Sequence, residues 1–271
     1  MLKDITIGQY YPTNSLVHKL DPRLKLVALI VYIVFIFLAS SAVSLAYMVV
    51  FTLVIITLTK IPMTTYLKNL KSILPIILLT AILNMLYVSE GETLVSFWVV
   101  KITAGGIARA LFMAVRIIVL ILSSAMLTYT TTPTMLTDAI ESLLSPLRYI
   151  GLGNAVHTIA MMMTIALRFI PTLIDETDKL MNAQKARGAD FDSGSILKRV
   201  KALIPILIPL LISSIRRAFD LSEAMESRCY TGNHKRTRMK QLKFEARDFI
   251  ALPTMLISFA VTLILNHINL F

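Results

Sequence analysis

The sequence predicts an all-α integral membrane protein, and three observations predict it. Hydrophobic residues make up 56% of the 271 residues and the mean hydropathy is +0.74, whereas a soluble domain is typically about 45–50% apolar. The apolar residues fall in runs of helical length separated by short polar breaks. The net charge is +11, and the basic residues collect in a few of those breaks, the signature of cations held on the cytoplasmic side. A charged fraction of 16% still requires a sizeable part of the chain to meet water or another protein.

Residues 1–25 form a polar lead-in of mixed charge, which does not fit a signal peptide. Within it Asp21-Pro22 has the cap-then-proline order of a helix start. Leu26 to Ala39 is the first span, Ser40-Ser41 a tight turn and Ala42 to Thr59 the second span. Lys60 to Lys71 is a basic interfacial segment, and Ser72 to Val88 is the third span. Ser89-Glu-Gly-Glu92 and Thr103-Ala-Gly-Gly106 bracket a loop around Trp98, the only tryptophan, which fits a membrane interface. Ile107 to Tyr129 is the fourth span, about 35 Å as a helix. Ile250 to Leu265 is the fifth.

The middle is both polar and apolar. Thr132-Pro133 repeats the cap-then-proline order and opens a helix over Thr134 to Tyr149, broken by Gly151 to Gly153. A second helix runs from about Asn154 to Arg187 with Pro171 as a kink, and a third from about Ile196 to Arg228 with Pro205 and Pro209 inside. Asp190 to Ser195 is a loop between them, and residues 231–248 are a basic connector. The apolar runs Leu152–Leu167 and Ala202–Ile215 raise the question of further spans. The second has 14 residues, short of the roughly 20 that cross a bilayer. If both crossed, Lys179, Lys185, Arg187, Lys198, Arg199 and Lys201 would lie outside, against the positive-inside rule. Five spans with the N-terminus inside and the C-terminus outside place 24 of the 27 Lys and Arg residues on the inner side. The expectation is therefore five transmembrane helices plus an inner-face domain of three amphipathic helices. Residues 1–129 hold the lead and spans one to four, 130–248 the amphipathic domain, and 249–271 the last span and tail.

Two helix ends stand out. Ala183-Gln-Lys-Ala-Arg-Gly188 closes one long helix and Ala224-Met-Glu-Ser-Arg-Cys229 the next, with Arg187 and Arg228 set 41 residues apart. A cation at a helix C-terminus suits the helix dipole, and Gly188 is a natural cap. The pairing points further. Small neighbours (Ala186, Gly188, Ser227 and Cys229) leave each guanidinium accessible, and its planar fork makes several directed hydrogen bonds to carboxylates and carbonyls.

The sequence resembles a known family. Ala183-Gln-Lys-Ala-Arg-Gly-Ala-Asp190 and Glu226-Ser-Arg-Cys-Tyr230 resemble the two Ala-Arg-Gly-type signatures of the transmembrane T component of energy-coupling factor (ECF) transporters. Ser15-Leu-Val-His-Lys-Leu-Asp-Pro-Arg-Leu-Lys25, Thr130-Thr-Thr-Pro-Thr134, Leu144-Ser-Pro-Leu147 and Leu167-Arg-Phe-Ile-Pro171 match that family's pattern in order. The second signature departs from the strict triplet, with Ser227 and Cys229 around its arginine; both are small. The resemblance implies a scaffold and energy transducer of an ATP-driven importer in a prokaryotic cell membrane. It implies two cytosolic ABC-type ATPases as partners, docked at Ala186-Arg187-Gly188 and Ser227-Arg228-Cys229. A membrane-embedded S component that binds a vitamin or metal ion is the third partner. The amphipathic helices are then coupling helices, ATP and Mg are bound by the ATPases, and this chain carries no cofactor of its own.

Other residues carry less. Met161-Met-Met163 sits on an apolar helical run; such flexible side chains either fill gaps between helices or form an adaptable surface, here for the S component. Arg116 lies inside a span, expected to be neutralised by carbonyls or by hydroxyls such as Ser123 and Ser124. His18 and His157 stand apart from carboxylate or cysteine groupings in sequence, which does not suit metal ligation. Asp175-Glu176 and Asp178 fit a solvated face paired with Lys179, Lys185 and Arg187. The sequence has no Gly-x-x-x-x-Gly-Lys-Ser/Thr loop, no Gly-x-Ser-x-Gly elbow and no His-Glu-x-x-His. The chain reads as a non-catalytic subunit that does not bind nucleic acid; the basic excess is topological. The rival readings are a polytopic membrane enzyme and a self-contained secondary transporter. The first needs a catalytic set at the membrane face, the second inverted repeats or intramembrane acids.

Overall fold

The computed structural model describes residues 9–87, 93–97, 100–189, 191, 195–230 and 242–267. In chain order its elements are α1 (Pro22–Leu38), α2 (Ala42–Thr59), α3 (Met63–Tyr87), an antiparallel hairpin of β1 (Thr93–Phe97) and β2 (Val100–Thr103), α4 (Ala104–Thr130), α5 (Pro133–Leu144), a 3-10 turn (Ser145–Ile150), α6 (Gly153–Ala186), α7 (Ile196–Ser227) and α8 (Ala246–His267). The all-α membrane fold stands, with the small hairpin as its one addition. Trp98, Ser89-Glu-Gly-Glu92 and residues 231–241 of the basic connector lie outside the described residues. The chain forms two compact units, one of Gly8–Ala139 and Leu242–Phe271, the other built on Ile140–Gln241.

The helix starts follow their sequence signals. The Asp21 carboxylate accepts from the Arg23 backbone N–H at 2.8 Å with Pro22 in the first turn. Ser41 caps α2 by accepting from Val43. Four boundaries differ from expectation. Helix α4 begins at Ala104 instead of Ile107, because Thr103, read as part of a loop, caps it by accepting from Gly106. Helix α3 begins at Met63, so most of the basic segment Lys60–Lys71 is already helical. Nothing between residues 63 and 74 breaks a helix, and Pro62 sits just before its start. Helix α5 stops at Leu144 instead of Tyr149. Pro146 is the reason, since it disfavours the helical conformation at Ser145 and lacks an N–H. Helix α8 begins at Ala246 and takes Asp248 into its first turn.

The five-span count is corrected. Among the described residues six helices are long and apolar enough to cross a membrane: α2, α3, α4, α6, the Val200–Ser227 part of α7, and α8. Helix α1 has 17 residues, about 26 Å of rise against a hydrocarbon core of about 30 Å. Counting only the unbroken apolar run Ala202–Ile215 understates α7, because the helix continues through the polar residues at both ends.

In the first unit α1, α2, α4 and α8 meet around Tyr32, Ile36, Met48, Val119 and Phe259. Phe35 stacks on Phe259 with ring centroids 4.3 Å apart. The buried Tyr32 hydroxyl donates to the Met48 carbonyl at 2.9 Å, so a polar tip inside the bundle is satisfied. A second cluster, Ile56, Ile61, Tyr66, Leu122, Ala125 and Tyr129, joins α2, α3 and α4. At one end of this unit Asn266 accepts from the Ser40 N–H at 2.8 Å and donates to the Leu38 carbonyl, tying the α1–α2 turn to α8.

Arg116 belongs to this packing, and of the two kinds of partner expected it takes a carbonyl and not the Ser123 or Ser124 hydroxyl. Its guanidinium donates to the carbonyl of Ala39, the residue that ends α1, and lies 4.7 Å from the Phe112 ring centroid. A cation at the negative end of another helix is well placed. Ser123 donates to Leu120 instead; it and Ser124 sit about two turns further along α4, roughly 10 Å away.

The lead-in is fastened at the other end. Lys25 is buried and its ammonium donates to the carbonyls of His18 and Thr130, each at 3.1 Å, and towards Thr131 Oγ1. Asp248, 2% exposed, accepts from the Asp21 and Glu245 N–H groups, each at 2.8 Å. Arg23 pairs with Asp21 at 2.8 Å, donates to the Leu242 carbonyl and lies over the Phe244 ring. His18 donates from Nε2 to the Tyr11 carbonyl at 3.0 Å, which leaves Nδ1 to accept from Ser15 at 2.7 Å. Burial, and then the nearby Lys25 charge, push its pKa below the ordinary imidazole value, so it is neutral at pH 7.

Candidate functional site

The two arginine-bearing helix ends fold the same way. Helix α6 is last helical at Ala186 and α7 at Ser227, and Arg187 and Arg228 are the C-cap residues. Their backbones agree closely, with φ −86°, ψ 5° at Arg187 and φ −92°, ψ 15° at Arg228. The following residue is left-handed in both cases, Gly188 at φ 88° and Cys229 at φ 55°. The bonds also correspond. Gly188 N–H donates to Lys185 at 2.9 Å and Ala189 N–H to Gln184 at 3.0 Å; Cys229 N–H donates to Glu226 at 2.8 Å and Tyr230 N–H to Met225 at 3.0 Å. These are paired Schellman motifs. Glycine adopts the left-handed conformation freely, whereas cysteine meets steric opposition there, so the second end holds a conformation its sequence does not favour.

This geometry separates backbone from side chain. The last carbonyls are satisfied by main-chain N–H groups, so neither arginine side chain is required to close its helix. Arg187, Gly188, Arg228 and Cys229 are all exposed, as are Ala186 and Ser227. Each tip thus presents a guanidinium on a backbone fixed by its own hydrogen bonds.

Helices α6 and α7 are joined by polar contacts. Glu176 accepts from Arg217 Nη2 at 2.8 Å through Oε2 and from the Ser213 hydroxyl through Oε1. The pairing of Glu176 with Lys179, Lys185 or Arg187 on its own helix is therefore corrected: its partners lie one turn apart on α7. Further along, the Tyr230 hydroxyl meets Met161 Sδ at 2.6 Å. The second tip and the methionine run, far apart in sequence, are thus brought together, while Arg187 lies at the end of α6 remote from Met161. The run itself divides. Met161 is partly buried against Tyr230, whereas Met162 and Met163 are 59% and 40% exposed. His157 pairs with Glu141 of α5 at 3.1 Å, a carboxylate partner that its sequence neighbours do not suggest.

Sequence reasoning missed Glu176, Ser213 and Arg217 as a set. A signal was present: Glu176 and Arg217 are 41 residues apart, the same interval as Arg187 and Arg228. It also missed Asp248, whose partners Asp21 and Glu245 include one from the opposite end of the chain.

Comparison with known proteins adds family evidence. A family model described as cobalt transport protein (CbiQ) matches residues 13–239. The energy-coupling factor transporter transmembrane protein EcfT of Ruminiclostridium cellulolyticum is 47% identical over 268 residues, covering 99% of each chain. The protein of the same name from Clostridium kluyveri is 48% identical over 265 residues, 97% of each chain. That from Bacillus subtilis is 41% identical over 266 residues, 98% of this chain and 100% of its own.

Proposed function

This chain belongs to the family of energy-coupling factor transporter transmembrane proteins, and on that premise we propose that it links two cytosolic ATPases to a membrane-embedded S component that binds the transported vitamin or metal ion. The observation that carries this reading is the matched pair of Schellman ends with exposed Arg187 and Arg228. Two equivalent protrusions suit two equivalent partners. Ala186-Arg187-Gly188 docks one ATPase and Ser227-Arg228-Cys229 the other, each guanidinium entering an acidic or carbonyl-lined groove. ATP and Mg belong to the ATPases, and the chain itself transduces. Residues 130–248 act as the coupling domain, between a lead-and-span region over 1–129 and a closing span over 249–271. Purification of the tagged chain from its own cells tests this. Two ATPases and a small hydrophobic partner should accompany it, and a chain transporting substrate alone would overturn the reading.

The N-terminus lies inside and the C-terminus outside. This needs an odd number of crossings: the 17-residue α1, roughly 4 Å short of the hydrocarbon core, must cross with the bilayer locally thinned, alongside α2, α3, α4 and α8, while α6 and α7 together add an even number or none. What does depend on them is Arg187. Lys179, Lys185 and Arg187 sit near one end of α6, and the positive-inside rule places that end in the cytosol. In a cysteine-free chain, a cysteine introduced at Ala189 should escape a membrane-impermeant thiol reagent in intact cells and react in inside-out vesicles stripped of ATPases. The native Cys229, exposed in the structure, should behave likewise. Labelling at residue 189 from outside would put Arg187 out of an ATPase's reach.

The exposed Met162 and Met163 serve the S component. An adaptable thioether surface suits a partner that must bind and release. Met162→Ala with Met163→Ala should lower S-component copurification and uptake while both ATPases remain bound. Unchanged S-component binding would return the pair to simple lipid or helix packing.

A further inference from the structure

We propose that Glu176 is the pin that fixes the spacing of the two arginine tips, and that this spacing lets one chain engage two ATPases together. The second half rests on the docking reading above.

The pin uses both oxygens of one carboxylate. Oε1 accepts from Ser213 and Oε2 from Arg217, four residues apart and so on one face of α7. The Glu176 side chain is only 21% exposed, so water competes weakly for it. Direction comes from the second contact. On α6 the contacting residues fall from Glu176 to Met161 as from Arg217 on α7 they rise to Tyr230, three residues past its last helical residue, so the two helices run antiparallel. The helical parts of these stretches, 161–176 and 217–227, are about 22 and 15 Å long, and the Schellman turn carries the chain on to Tyr230.

From the pin each tip is eleven residues away, Glu176 to Arg187 and Arg217 to Arg228. Because the helices are antiparallel, the tips point in opposite directions, each about 16 Å from the pin, with a span of roughly 33 Å. Neither arm contains proline or glycine, whereas Pro171, Pro205 and Pro209 all lie on the other side of the pin. Helix interiors without these residues lack the usual causes of a kink, so both arms behave as rods and the pin sets their relative position.

Apolar contact alone would set it poorly. Large aliphatic side chains of α6 and α7 such as Ile159, Leu203, Leu207 and Leu211 are exposed instead of packed between the helices, and apolar attraction is in any case non-directional. Helices held only that way can slip past one another by a turn, about 5.4 Å. A directed ion pair between them specifies one register. Two partners held at a fixed spacing bind as a linked pair, and that gain vanishes when the geometry drifts.

Spin labels on the native Cys229 and on Lys185→Cys, in the otherwise complete chain reconstituted in lipid nanodiscs, read the spacing directly. The parent chain should give one narrow distance. Glu176→Gln should broaden it or shift it by about one helical turn, and the exchanged pair Glu176→Arg with Arg217→Glu should restore it. An unchanged distribution in Glu176→Gln overturns the pin. So does failure of the exchanged pair to restore a narrow distance, which means the variant disturbed the helices by another route. Unlabelled chains then test the consequence. Glu176→Gln should reduce recovery of the complex with both ATPases by roughly tenfold or more, while each ATPase alone still binds. Full recovery of the two-ATPase complex despite altered spacing overturns the consequence. A parent chain that binds no ATPase overturns the docking reading and with it the consequence, while the distance measurement still decides the pin.

Discussion

Arg187→Glu and Arg228→Glu are each expected to weaken ATPase association by about 2 kcal/mol or more, roughly thirtyfold, and to abolish uptake. The size follows from chemistry. A guanidinium desolvated in a partner groove leaves carbonyls or carboxylates unpaired when removed, and glutamate adds repulsion. The structure makes the experiment clean. Both helix ends close through main-chain bonds from Gly188, Ala189, Cys229 and Tyr230, so the arginine side chains contribute little to folding beyond the dipole interaction, about 0.3–1 kcal/mol. The variants should therefore reach the membrane in normal amounts. Copurification of each tagged variant with the two ATPases separates the tips, each losing mainly its own partner. Unequal defects are expected, because Gly188 and Cys229 present different surfaces beside otherwise equivalent backbones. A double variant that retained both ATPases would reduce the arginines to helix-end charges.

Local features were legible in the sequence, and features made by distant residues were not. Asp21-Pro22 and Thr132-Pro133 announce α1 and α5 because capping acts over two or three residues. Ala42–Thr59 is read to the residue, as a turn and a left-handed Lys60 bound it. Arg187 and Arg228 were found because cap chemistry and small neighbours are adjacent in the chain. The Schellman conformation at Cys229 was not, since cysteine seldom marks a left-handed position. Nor was Glu176, whose acidic and basic neighbours along α6 offered a local explanation, while its partners Ser213 and Arg217 lie on another helix. The span count failed for a related reason. An unbroken apolar run measures composition, whereas crossing depends on the whole helix and on what covers its polar positions, neither of which is written in the run.

Asp248 is expected to be the costliest single position in the membrane unit. It lies at the point where the lead-in, the end of α4 and the start of α8 converge, and it is 2% exposed. Its two oxygens accept from the Asp21 and Glu245 N–H groups, each at 2.8 Å. Asp248→Ala leaves both donors without a partner at about 1–3 kcal/mol apiece, and it removes an anion facing the buried Lys25. Asp248→Asn keeps the shape but turns one acceptor into a donor opposite an N–H, so one bond is lost and a repulsion gained; about 1–3 kcal/mol is expected. Lys25→Met keeps the stem and removes the ammonium that holds the His18 and Thr130 carbonyls, leaving two acceptors without that donor at about 1–3 kcal/mol apiece. Arg23→Met should cost least, because its guanidinium is 19% exposed and water can replace part of what it gives. Thermal unfolding in one detergent ranks the four. The order of loss should put Asp248→Ala and Lys25→Met above Asp248→Asn, with Arg23→Met last. An Asp248→Ala chain as stable as the parent would mean that water fills the site and that the convergence of these three segments is held by apolar packing alone.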